Sequence, residues 1–286
     1  MKVQSFDRRQ EDIGGIVEFG HVNTRVPDQH LATLFYVAGM GFTRDPYLVT
    51  GVDNMWINVG ATQFHLPTGP AQVLRGVTVV AVPDLEGLAR RLAKVAPALA
   101  GTRFATVPAH ETMEIVCPWG NRLRCIQHDK TRLGIVAVEL ATAPGTAEGI
   151  ARFYRAVFAT PAILKNGAAV VPVGLGTHLV YRETDALQPD YDGAHIQVAL
   201  ADFSGPHARL AALGLITEES NQHQYRFQDI VDPETGQVLC TIEHEVRSMR
   251  HPMFARPLVN RDPAITNAAF STGREALVLG VDPTAI

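Results

Sequence analysis

The stretch Gly20-His21-Val22-Asn23-Thr24-Arg25-Val26-Pro27-Asp28 reads as a short strand closed by a Pro-Asp turn that opens a helix. The pattern returns three times. Residues 74–84 repeat it most openly, ending again in Val82-Pro83-Asp84, while 135–144 and 193–202 repeat it more loosely. Four copies of one small unit therefore account for most of the chain. The functional question becomes which copies kept polar side chains where such a unit can hold a metal.

The first unit runs over about 18–68. Asp28 caps a helix over 31–40 whose apolar residues Leu31, Leu34, Phe35 and Ala38 sit at helical spacing, and a hairpin over 54–66 turns at Gly60-Ala61. The second unit, 74–127, carries a helix over 85–99 and strands over 103–107, 111–116 and 122–127. The third, 135–183, carries a helix over 147–158 and strands over 168–173 and 177–182. The fourth, 193–246, carries a weaker helix near 206–213 and strands over 225–229 and 237–244.

The halves also match each other. Phe35-Tyr36 follows His21 by 14 residues, as Phe153-Tyr154 follows Glu139, and 123–129 aligns with 239–245 without a gap. The expected organisation is an arm over 1–17, a half over 18–128, a second half over 135–246, and a tail over 247–286. That tail is expected to pack along the outside or to reach a partner chain, which leaves a homodimer open.

The totals narrow the class. A chain of 286 residues with 46% hydrophobic and 19% charged residues supports a large core and little disorder. A net charge of -4 without a basic block argues against nucleic acid or an anionic membrane as partner. Three cysteines (Cys117, Cys125 and Cys240) make no CxxC pair, which fits a reducing, cytoplasmic setting. No run is apolar enough to span a bilayer, and the start lacks a signal-peptide core.

These residues resemble the vicinal oxygen chelate superfamily, which includes glyoxalase I, extradiol dioxygenases and the bleomycin- and fosfomycin-resistance proteins. The likeness rests on the opening motif, Gln63-Phe64-His65-Leu66-Pro67, Gly193-Ala194-His195-Ile196, and the turns at 118–121 and 232–237, and it covers about 18–246. It implies an α+β fold: four βαβββ modules, paired into two curled mixed sheets that each enclose a cavity. It also implies a divalent metal (iron, zinc, manganese or nickel) bound from the first and last strands of the units, and a small oxygenated substrate.

At the first-strand position the four units hold His21, Val77, Glu139 and His195. At the last-strand position they hold His65, Arg124, Leu179 or Val180, and Cys240. Pairing neighbouring units scatters the candidate ligands. Pairing the first unit with the fourth collects His21, His65 and His195, and leaves Arg124 and Glu139 to the inner pair, where they are equally suited to a buried ion pair or to solvated surface. Strand alternation puts Cys240 and Glu243 on opposite faces, so Glu243 reaches the metal only through a register shift. Glu243 is preferred as fourth ligand because a carboxylate can also serve as general base. Trp56 and Phe64 are candidates for the substrate wall, with core packing as the alternative. The resulting expectation is a metal-dependent lyase, isomerase or dioxygenase. The competing one is a metal-free small-molecule-binding protein of the resistance type.

Overall fold

The computed structural model describes residues 7–46, 48, 53–128 and 133–258. The beginning of the expected arm, the link at 129–132 and the tail beyond 258 lie outside the described residues.

Each Val-Pro-Asp does the same local work. The Asp28 carboxylate accepts from the backbone N–H groups of His30 and Leu31 at 2.8 and 3.0 Å, and Asp84 accepts from Gly87 at 2.8 Å. These bonds satisfy donors that a helix start leaves open. Four βαβββ units follow. The first comprises β1 (Ile16–Asn23), a helix α1 that starts at Gln29–Ala32 and continues as a π-helix over Thr33–Gly39, β2 (Thr43–Arg44), β3 (Asn54–Val59) and β4 (Thr62–Pro67). The second comprises β5 (Gly76–Val82), α2 (Leu85–Val95), β6 (Ala105–Pro108), β7 (Thr112–Val116) and β8 (Arg122–Gln127). The third comprises β9 (Gly134–Thr142), α3 (Ala147–Phe158), β10 (Ile163–Lys165), β11 (Ala168–Pro172) and β12 (His178–Glu183). The fourth comprises β13 (His195–Leu200), α4 (Ser204–Ala212), β14 (Ile216–Asn221), β15 (Gln224–Val231) and β16 (Val238–Ser248). The short strands β2, β10 and β14 are additions to the sequence reading; they have two, three and six residues and are largely exposed, so hydrophobic alternation does not mark them.

The units form two mixed eight-stranded sheets. The first has the order β14-β15-β16-β13-β1-β4-β3-β2, and the second β10-β11-β12-β9-β5-β8-β7-β6. The first unit thus pairs with the fourth, and the second with the third. In each sheet an antiparallel central pair, β1 with β13 or β5 with β9, is flanked by parallel neighbours. Where β1 bulges beside β13, Gly20 leaves room for the Gln197 side chain: a Cβ there would lie 1.8 Å from Gln197 Oε1 and would push that amide aside.

Alternation divides the first sheet into an apolar and a polar face. Phe19, Val22, Phe64, Ile196, Val198, Ile242 and Val246 belong to one continuous core that also takes in Phe35 and Tyr36 of α1 and Phe153 and Tyr154 of α3. His244 is the exception on the apolar side. It stacks on Phe227 at 4.4 Å, bonds Tyr154 Oη at 2.6 Å through Nε2, and donates from Nδ1 to the Ile242 carbonyl at 2.8 Å.

Burial pushes His244 down to about 4. The unfolded chain takes up a proton at this ring near 6.5, the fold only near 4, so stability is lost as pH falls between these values. The expected loss from this residue between pH 7 and 5 is about 2 kcal/mol. Urea unfolding of the wild type and of His244→Gln at both pH values checks this; an unchanged pH dependence in the variant contradicts it.

Candidate metal centre

The polar face of the first sheet is built from alternate residues of six adjacent strands, β15-β16-β13-β1-β4-β3. Across the central pair, His21 lies opposite Gln197 and Asn23 opposite His195. The parallel neighbours obey one register on both sides. His21 meets Gln63 and Asn23 meets His65, just as His195 meets Glu243 and Gln197 meets Glu245. Under this local two-fold relation His65 and Glu245 are equivalent positions, and so are Gln63 and Glu243.

Among the described residues, His21, His195 and Glu245 are brought together with one potential ligand atom each, all within 4.8 Å of one another, and all three residues are buried. Among the described residues His21 Nε2 has no hydrogen-bond partner, and His195 Nε2 has only the Glu245 carboxylate nearby, at 3.5 Å. Buried ring nitrogens without partners are costly unless a ligand completes them. Burial drives His21 well below its ordinary pKa. A neutral imidazole with a free lone pair is the form that binds metal. Burial alone would raise the Glu245 carboxyl, but Arg247, the bond to His195 and the neighbouring His21 hold it well below the usual carboxylate range. The donor set of two imidazoles and a carboxylate from separate strands fits a divalent first-row metal.

His65 joins the same face, its ring 5.8 Å from that of His21. It is already engaged on both nitrogens: Asn23 Nδ2 donates to Nδ1 at 2.6 Å, and Nε2 donates to Asn54 Oδ1 at 2.6 Å. Trp56 stacks on it at 3.9 Å and meets the His21 ring edge-on at 4.9 Å. Burial first, with the neighbouring His195, pushes His65 down to about 3.

Glu243 faces the same side. Its Oε1 is 3.4 Å from His195 Nδ1, and its carboxylate accepts from Arg226 at 2.5 Å and Gln228 at 3.3 Å. The carboxylate with an oxygen within 4.8 Å of nitrogens of both His21 and His195 is that of Glu245, two residues further along β16. The parallel register with β13 sets that offset, not the distance from the turn glycine. Cys240 stays off this face, with burial raising its thiol to about 11. Phe64 points the other way from Gln63 and His65, against Tyr36 at 5.3 Å and Phe42 at 6.4 Å, so it packs in the core. Arg226, which also donates to Glu245 at 2.7 Å, and Arg247, 2.5 Å from the same carboxylate, complete the site. Sequence reading missed Glu245 and both arginines; the visible signal was the repeat of Gln63-x-His65 as Glu243-x-Glu245.

The sequence matches no family model and no curated protein. Solved structures do match in shape. A candidate dioxygenase from Bacillus subtilis subsp. subtilis strain 168 is similar with a TM-score of 0.58 at 13% identity, over 90% of each chain. Glyoxalase I from Zea mays is similar with a TM-score of 0.57 at 14% identity, over 81% of this chain and 92% of that one. The chain shares the fold of these two proteins. At these identities the likeness speaks for architecture, and one scaffold hosts many reactions.

On this scaffold the described chain after β16 turns back over the polar face. Arg247 Nη1 approaches the Met253 sulfur at 3.4 Å, Asn58 donates to the Leu258 carbonyl at 2.8 Å, and Arg256 forms an ion pair with Asp45 at 2.5 Å. The Arg256 and Asp45 side chains are 1% and 0% exposed. Asp45 also accepts from Gln63, the cross-strand neighbour of His21. No helix among the described residues is long and apolar enough to cross a membrane.

Arg256→Ala strips a buried carboxylate of its cation and is expected to cost about 3–5 kcal/mol. Asp45→Asn combined with Arg256→Gln is expected to recover part of that. Chemical denaturation of the three proteins tests it, and a single variant within about 1 kcal/mol of wild type contradicts the assignment.

Proposed function

We propose that this protein is a metal-dependent enzyme acting on a small oxygenated substrate, with His21, His195 and Glu245 holding a divalent ion and His65 poised beside them. The observation that carries the reading is the convergence of three buried ligand atoms within 4.8 Å, with His21 Nε2 unpartnered among the described residues and His195 Nε2 facing only the Glu245 carboxylate. Bound there, the ion would supply Lewis-acid stabilisation to two adjacent substrate oxygens.

The remaining roles belong to the chain itself. Trp56 holds the His65 ring by stacking, and Asn23 and Asn54 fix its tautomer. Arg226 spans Glu243 and Glu245 and sets both carboxylates on one side of His195. Glu243 is then the group placed to accept a substrate proton, released from Arg226 as it does so. His21, His195 and Glu245 are buried away from bulk water, which strengthens the charge interactions among them. Isomerase, lyase and dioxygenase chemistry all use such a centre, and iron with open positions would mark the last.

A second reading is a metal-free binding protein. It is favoured by the bonds that already occupy both His65 nitrogens and by the two arginines on Glu245.

Metal analysis of purified protein, followed by titration with zinc, manganese, nickel and ferrous ions, separates the two. The enzyme reading expects one ion per chain, lost on His195→Ala and on Glu245→Gln. Glu243→Gln should retain the ion and lose about 100-fold or more in turnover. Glu139→Ala, on the other sheet, should bind metal normally. No uptake of any of these ions by wild type, together with chelator-insensitive ligand binding, supports the second reading and rejects the first.

A further inference from the structure

The second sheet carries Glu139 where the first carries His21, and gathers guanidinium groups where the first gathers imidazoles. A cleft of about 460 Å³ opens on it, lined by Arg75, Arg122, Arg124 and Arg182, with Glu139 as the single carboxylate in the wall and Val77 and Leu140 as apolar floor. Arg124 is already committed: it donates to Glu114 at 2.5 Å and to Glu139 at 3.2 Å. Arg182 stands 4.0 Å from the other Glu139 oxygen with its side chain half exposed. Arg122 is exposed and has no ion pair among the described residues. Arg75 is anchored by donation to the Thr241 carbonyl and lies 5.7 Å from the centre of the Tyr191 ring. With Glu114 and Glu139 offset against the four arginines, two positive charges are left over in one concave space.

This arrangement does not suit a metal, since its cations outnumber the only carboxylate in the wall. It does suit an anion. Guanidinium groups present forked donors that match carboxylate and phosphate oxygens, and a concave wall reduces screening by solvent. Arg122 supplies uncommitted donors and Arg182 is held only by its 4.0 Å approach to Glu139, while Arg124 and Glu139 brace the floor between them.

We propose that this cleft binds a small, multiply charged anion, a phosphate or polycarboxylate, gripped by Arg122 and Arg182 with Arg75 behind them. The site is separate from the His21–His195–Glu245 cluster and does not depend on that cluster holding a metal.

Isothermal titration of the full chain at low salt, with inorganic phosphate and separately with citrate, tests it. At least one of the two is expected to bind one per chain with a dissociation constant in the millimolar range or tighter. Binding of phosphate alone assigns a phosphate ligand, and of citrate alone a polycarboxylate; either supports the proposal. Arg122→Ala/Arg182→Ala is expected to weaken binding about 10-fold or more, and Arg122→Lys/Arg182→Lys, which keeps the net charge, about 3-fold. His195→Ala is expected to bind as wild type does. Affinity should fall as salt is raised. Absence of binding by either anion at about 10 mM, or undiminished binding in both double variants, overturns the proposal.

Discussion

The antiparallel pairing of β1 with β13 is the contact on which the rest of the molecule depends. It joins the first unit to the fourth, and it alone brings His21 and His195 to one surface. The two parallel partners, β4 and β16, then follow in matching register and deliver His65 and Glu245 from the two sides. A slip of one residue anywhere in this ladder would turn the ligands into the core and the core residues into the site. Gly20 protects the register by leaving room for Gln197 at the bulge.

Charge is concentrated on that face in a way that would be unfavourable without a partner for each group. Glu243 and Glu245 are held by Arg226, and Glu245 also by Arg247, while burial penalises the protonated forms of His21 and His65. The second sheet resolves the same problem differently. Its corresponding face stays partly open to water and is studded with arginines. Duplication of one module has thus produced two faces of opposite character from the same backbone.

Much of this was legible in the chain. The returning Val-Pro-Asp motif marked the units because its aspartates cap helices, and the placement of His21, His65 and His195 implied the crossed pairing. Glu245 was not legible by counting from the turn, because the β16 register is set by β13, a strand about forty residues earlier. Phe64 could equally have faced either side until strand alternation was anchored by His65. Asp45 and Arg256, separated by 211 positions, carry no local signal that they meet. The edge strands β2, β10 and β14 were invisible because exposed residues show no hydrophobic period.

The crossed arrangement also imposes an order on synthesis. By the time Glu183 has been made, β5 and β9 and their neighbours all exist, so the inner sheet can close early. β1 emerges first of all the strands yet has no central partner until β13 is made, and β16 completes the ladder only at Ser248. Between those moments the apolar side of the leading module is left waiting, and it is there that a nascent chain of this design has most need of shelter from its neighbours.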